Sequence, residues 1–432
     1  MGLIYLYTYT IIIAIILLRA IKRKKSSTYI LMWSCYFVSA VFCVLCKTFQ
    51  DTLVGHGILH DEWYNLSDTT LHGYILIIIC NLIAFKPFER YNSNQFIDKY
   101  GNRKGDNTIL FTFSYLFIAL FVVYVITSVG VIKSAFSITD FGTLRNNLYG
   151  NELHQSTAVF SNNLIGNICY KICWLFRLLA VFVGLILLKK GKRRLGFLIL
   201  LCDFMLVFIN SNINAARGGL LVFLFCAFLF SIPILRKMPK KVKRFLIIVI
   251  CVIAIVVVGF IIEVTLSRTA DNTSGGNMLL KNACFYLGHG PIVFSKITGS
   301  LKELGLGKVV FLRIASHFFG FNYNVSSVMN EIGYPSPLTN LFFTYLGPIY
   351  MDFGSIGSII FYSVWAFFVN RLLKERRIRL STVYVFSYYM FFFVLGTFVV
   401  GPLEFASLVT NTCIAILLRL IENTVYKRYR YN

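Results

Sequence analysis

Leu185-Ile-Leu-Leu188-Lys189-Lys190-Gly191-Lys192-Arg193-Arg194-Leu195-Gly-Phe-Leu-Ile-Leu200 joins two apolar runs, 164–188 and 195–213, through six residues of which five are cationic. Each run is long enough to cross about 30 Å of hydrocarbon as a helix, and the charged knot between them is too polar to do so. The same pattern recurs along the chain. Further apolar runs cover 3–18, 29–46, 71–85, 109–132, 218–235, 245–266, 341–370, 382–400 and 405–421. Basic clusters fall in every second gap, at residues 19–25, 86–104, 189–194, 236–244, 371–379 and 419–430, and hold 30 of the 42 Lys and Arg residues. If the chain crosses at every run, these clusters share one face. Cations in short loops mark the cytoplasmic side, so the amino terminus is expected outside and the carboxy terminus inside. The predicted fold is all-α and polytopic, about eleven transmembrane helices in a single transmembrane domain over 1–432. A large external loop subdomain, 267–340, precedes the ninth helix.

Composition narrows the function classes. A mean hydropathy of +0.72 leaves no room for a sizeable soluble domain. The net charge of +24 would suggest nucleic acid in a soluble protein. Here the cations are juxtamembrane, where they orient the chain and attract anionic headgroups, so no nucleic-acid partner is expected. Residues 1–18 lack a basic leading region and a small-residue cleavage pattern, and are expected to remain as the first helix. The 11 cysteines lie mostly inside apolar runs, with Cys284 alone in the long external loop, which speaks against a disulfide framework. Cys43 and Cys46 read as packing.

The predicted external segments are 47–70, 133–163, 214–217, 267–340 and 401–404. The fourth is the outlier, and long loops commonly carry function. Its apolar stretches 278–287, 291–297 and 309–320 are expected to be short helices on the membrane surface, separated by Gly288, Gly290, Pro291, Gly305 and Gly307. All six histidines (His56, His60, His72, His154, His289, His317) fall outside helices or at their external ends. His56 and His60 have the spacing of two metal ligands on a helix, but Gly57 and the absence of a third ligand argue against a metal, and no cofactor is expected.

Ionisable groups at membrane depth are the next signal, because each is costly there and needs a partner or a task. Arg217 lies in Asn214-Ala-Ala-Arg217-Gly218-Gly219, between two runs. A guanidinium beside a helix amino terminus suits phosphate; snorkelling to the interface explains it equally. Arg268 stands at similar depth, five residues after Glu263, as a second phosphate ligand or as a helix-end anchor. Asp352 lies in Gly347-Pro348-Ile-Tyr-Met-Asp352-Phe353-Gly354, whose Gly and Pro residues predict two half-helices. Its carboxylate fits a general base or a cap. Arg177 and Asp203 fall on neighbouring helices at different expected depths, and Asp203 is read as structural.

Together, Ala216-Arg217-Gly218-Gly219 and Thr339-Asn340 followed by Tyr350-Met-Asp352-Phe353-Gly354 resemble motifs of the O-antigen (oligosaccharide repeat unit) polymerase family of bacterial inner membranes. The helix count and the large loop in the carboxy-terminal half resemble that family as well. The R-x10-G pattern of some members is missing, since neither Arg145, Arg268 nor Arg313 has a Gly eleven positions on. The resemblance implies a GT-C-like glycosyltransferase that joins undecaprenyl-pyrophosphate-linked oligosaccharides on the periplasmic face. A chain-length regulator and a flippase would be its partners, alongside membrane lipids. In that scheme Arg217 and Arg268 hold the pyrophosphate, and Asp352 and His317 serve the attacking hydroxyl. Arg145, Lys281, Arg313, Asn340 and Tyr345 contact substrate, and no metal takes part. Alternative readings are a lipid-linked oligosaccharide flippase, an O-antigen ligase and a membrane scaffold. A ligase would carry a His near Thr339–Asn340, and none is present.

Overall fold

Boundaries between apolar and charged sequence become helix ends in the computed structural model of the protein. It describes residues 1–48, 69–89, 104–137, 159–214, 278–312, 325–333, 344–374, 379–397 and 402–431, with isolated helical positions between 220 and 259 and at 315. The helices are α1 (Gly2–Lys22), α2 (Ser27–Thr48), α3 (Leu71–Phe85, prolonged by the 3-10 turn Lys86–Glu89), α4 (Lys104–Thr127), α5 (Val129–Phe136), α6 (Leu164–Lys189), α7 (Arg193–Ile213), α8 (Met278–Ser300), α9 (Val325–Glu331), α10 (Gly347–Leu373), α11 (Leu380–Leu395) and α12 (Pro402–Tyr431). No strand occurs among the described residues. Seven of these helices (α1, α2, α3 with its turn, α4, α6, α7 and α10) are long and apolar enough to cross a membrane. Exposed apolar side chains such as Ile4, Ile11 and Leu18 on α1, or Leu116, Val123 and Ile126 on α4, would be costly in water and suit contact with lipid. The chain is an α-helical multi-pass membrane protein.

Local chemistry sets several ends. Thr70 caps α3 by accepting the Gly73 N–H at 3.1 Å, and Asn163 caps α6 by accepting that of Ile165 at 2.8 Å. α6 stops at Gly191, whose φ of +79° only glycine adopts cheaply. The Gly191 N–H then donates to the Leu188 carbonyl and the Lys192 N–H to that of Leu187, which closes the helix and turns the chain into α7. The basic knot read from the sequence is therefore a tight hairpin.

Two expectations need correction. The run 109–132 is not one helix: α4 ends at Thr127, whose hydroxyl bonds back to the Val123 carbonyl, and α5 restarts after Ser128. The stretch 278–300 is one helix of 23 residues, α8, with Pro291 inside it, rather than surface pieces separated by Gly and Pro. Gly288 allows the close approach that explains this, since a Cβ there would lie 2.8–2.9 Å from backbone atoms of Phe42 and Cys43 in α2. Ile292, Val293, Phe294 and Ile297 are buried. Ser295 exchanges two hydrogen bonds with the Thr70 backbone, at 2.9 and 2.8 Å.

The chain packs as two compact units. Unit 1 comprises Met1–Asn92, Ser274–Arg376 and Tyr389–Ile414; unit 2 comprises Ser93–Thr273, Arg377–Tyr388 and Ala415–Asn432. The core of unit 1 is aromatic. Phe85 meets Trp33 at 5.5 Å and Phe393 at 5.6 Å, and Phe393 meets Tyr345 at 4.9 Å, all edge to face. Unit 2 is built on α4, α6 and α7, with Leu178–Leu188 of α6 buried throughout.

Candidate functional site

The Asp-Phe-Gly stretch lies where α10 is interrupted. Gly354 has φ +66° and ψ −163°, outside any helix. The consequence is read from Tyr345 and Tyr362, whose carbonyl and hydroxyl are 2.8 Å apart. Seventeen positions of straight helix would separate them by about 25 Å. Residues 347–353 therefore run back along the start of 355–373, and the chain reverses at Gly354. The lower end of this re-entrant arm is held by Tyr345. Its N–H donates to the Gly396 carbonyl at 2.9 Å and its hydroxyl to Asn81 of α3 at 2.6 Å. Such a break within a membrane segment is tolerated only where protein satisfies the freed backbone, as here.

Asp352 sits two residues before the reversal and is fully buried. One carboxylate oxygen accepts the Val309 N–H at 2.9 Å and the other that of Val310 at 2.8 Å. Beside them, the Gly305 and Leu306 N–H groups donate to the Met351 and Asp352 carbonyls at 2.8 and 3.1 Å. Gly305 leaves room for this, since a Cβ there would stand 2.5 Å from the carboxylate. The four bonds fasten segment 305–310 to the arm, so Asp352 has the geometry of an anchor for a neighbouring loop. A Lys308–Glu331 ion pair ties the same segment to α9.

One residue further, Ser355 hydrogen-bonds His72 of α3 at 2.7 Å. His72 is exposed. This pair escaped the sequence reading because 283 positions separate its members. Tyr345 lies in the core of unit 1, and Lys281 is in the first turn of α8. Arg145, Arg217, Arg268, Arg313, His317 and Asn340 lie outside the described residues, as do His56 and His60.

Against known families, curated proteins and solved structures, the chain finds no match.

In unit 2 a second polar arrangement departs from the sequence reading. α7 begins at Arg193, so Asp203 is its central residue, and Arg177 is central to α6. The two share a depth rather than differing in it. Asp203 is fully buried with no hydrogen bond to either carboxylate oxygen, and Arg177 supplies the positive field acting on it. The Arg177 guanidinium lies 4.0 Å from the Trp174 ring. Toward the end of α7, Tyr170 donates to Asn210 at 2.6 Å, and Asn214 donates to the same oxygen at 2.9 Å. No group of three metal-ligating side chains occurs among the described residues.

Proposed function

We propose that this protein is a polysaccharide polymerase of the bacterial inner membrane, joining undecaprenyl-pyrophosphate-linked oligosaccharide repeat units on the periplasmic face. The observation that carries the reading is the Asp352-Phe353-Gly354 stretch. Its sequence resembles a signature of those polymerases, and it sits at a chain reversal that fastens segment 305–310 of the large loop. A motif used only to fill a helix would have no need of that reversal. In this reading the chain crosses eleven times, amino terminus outside and carboxy terminus in the cytoplasm, and carries its basic loops inside.

The reaction asks for three things. The acceptor sugar hydroxyl forms a bond to the anomeric carbon of the donor chain, and the bond from that carbon to the lipid pyrophosphate breaks. Arg217 and Arg268 take the leaving pyrophosphate, because bidentate guanidinium contacts strengthen as its charge develops. The hydroxyl proton passes to a base, and His72 beside Ser355 joins His317 as a candidate. Asp352 positions the loop. Arg145, Lys281 and Arg313 attract the polyanionic headgroups.

The test is gel profiling of surface polysaccharide in a deletion strain complemented with wild type, Arg217→Ala or His72→Ala, with protein level checked. The reading expects the polymer ladder to collapse to a core bearing one repeat unit in the deletion strain and with Arg217→Ala. Loss of all repeat units in the deletion strain would point to a flippase or a ligase. A normal ladder with Arg217→Ala would return that residue to snorkelling, and a normal ladder with His72→Ala would leave the base to His317.

A further inference from the structure

The α6–α7 hairpin of unit 2 borders two adjoining cavities. One, of about 560 Å³, is walled by apolar side chains, among them Leu185, Leu198, Leu201, Phe204 and Phe223, with Arg194 at its rim. The other, of about 620 Å³, is lined by Phe111, Tyr115, Lys192, Arg193 and Arg194. Arg194 lines both, so the oily groove and the cationic bowl adjoin at that side chain. The three cations are exposed and have no carboxylate partner among the described residues.

Depth identifies the kind of occupant. From Arg194 to Phe204 the groove follows ten residues of α7, about 15 Å, which is half of the roughly 30 Å hydrocarbon thickness. It therefore spans one leaflet, from headgroup level to the centre. Leu198 and Leu201, 44% and 56% exposed, leave it open sideways to the bilayer. A soluble anion would have no use for the groove, and an uncharged lipid would have no use for the bowl. Both are matched by a molecule with a negative head and an apolar chain one leaflet long.

We propose that this is a binding site for an anionic phospholipid, its phosphate among Lys192, Arg193 and Arg194 and one acyl chain in the groove down to Phe204. The site lies in unit 2, on the face of the basic loops, and does not depend on the polymerase reading.

The test uses the purified full chain in phosphatidylcholine nanodiscs holding a small fraction of spin-labelled lipid, with the immobilised fraction read by electron paramagnetic resonance. Labelled phosphatidylglycerol is expected to be retained about tenfold better than labelled phosphatidylcholine. In the triple variant Lys192→Gln, Arg193→Gln, Arg194→Gln, the preference should fall to within about twofold; these side chains are exposed, and Lys189 and Lys190 remain to orient the hairpin. Leu201→Trp, which fills the groove from its open side, should reduce retention of phosphatidylglycerol with the cations intact. Equal retention of the two lipids, or a preference that survives the triple variant, would overturn the proposal. Displacement by millimolar inorganic phosphate would overturn it in favour of a plain anion site. Displacement by undecaprenyl phosphate at a tenth of the concentration that unlabelled phosphatidylglycerol requires would overturn it in favour of a polyprenyl carrier site.

Discussion

Replacing Asp352 by Asn separates an anchor from a base. The carboxylate accepts two backbone N–H groups, from Val309 and Val310, in a fully buried setting. Asn keeps one carbonyl oxygen for one of them and turns an NH2 group toward the other. One charge-assisted bond is lost, the second weakens to a neutral one, and a buried backbone donor is left unmatched. Bonds to a charged group contribute about 1.5–3 kcal/mol each, and an orphaned donor costs about 1–3 kcal/mol, so a local loss of about 2–3 kcal/mol is expected. At 1.4 kcal/mol per factor of ten, the amides of Val309 and Val310 should exchange with deuterium about 30- to 140-fold faster, while those of α6 are unchanged. Hydrogen exchange followed by peptide mass spectrometry measures this directly. Gly305→Ala should loosen the same segment, because its Cβ would stand 2.5 Å from the Asp352 carboxylate. Acting on one clamp, the two substitutions together should cost less than the sum of each alone. Full protection of both amides in Asp352→Asn, together with loss of polymer, would refute the anchor and restore the carboxylate as a participant in the chemistry.

Three further outcomes follow from the packing. Gly288→Ala places a methyl group within 2.9 Å of the α2 backbone. It should destabilise the α2–α8 contact by about 1–3 kcal/mol, read as a lower unfolding temperature in detergent. Tyr345→Phe removes the 2.6 Å bond to buried Asn81 and should cost about 1–3 kcal/mol, whereas Tyr345→Leu and Phe393→Leu, which each remove a ring, should couple through the ring contact they share; additive thermal shifts of the two Leu variants would contradict this. In unit 2, buried Glu422 of α12 accepts the Leu380 and Ser381 N–H groups, at 2.5 and 3.3 Å, and so caps α11 from another helix. Glu422→Ala should expose the start of α11 to faster exchange with a loss of about 1–2 kcal/mol, and unaltered exchange there would rule the cap out.

Helix positions were the most legible part of the sequence, because a helix in a bilayer is bounded by where apolar residues stop. α3 coincides with the run 71–85, and α6 and α7 differ from theirs by one or two residues. The break in α10 was legible too, since Gly347, Pro348 and Gly354 are local signals. What those signals lacked was any view of the partner. Gly288, Gly290 and Pro291 read as breakers because the α2 backbone against which Gly288 packs is some 245 positions away. Asp352 offered a base or a cap on equal terms because Val309 and Val310 lie more than 40 residues upstream, in a loop with no periodicity. The depth match of Arg177 and Asp203 was missed for a smaller reason. Charged Arg193 and Arg194 read as a loop before the helix, whereas they form its first turn.

The patchwork of unit 1 has a bearing on how the protein is made. Its core ring Phe85 is matched by Phe393, which leaves the ribosome 308 residues later. At about 5–20 residues per second, roughly 15–60 s pass between the two. Throughout that interval Phe85, which packs on Trp33 and Tyr36, lacks its partner Phe393, and the Asn81 carboxamide has not yet met the Tyr345 hydroxyl. The first helices are therefore inserted long before they are finished, and a nascent chain stalled ahead of residue 389 would present the membrane quality-control machinery with an open polar seam.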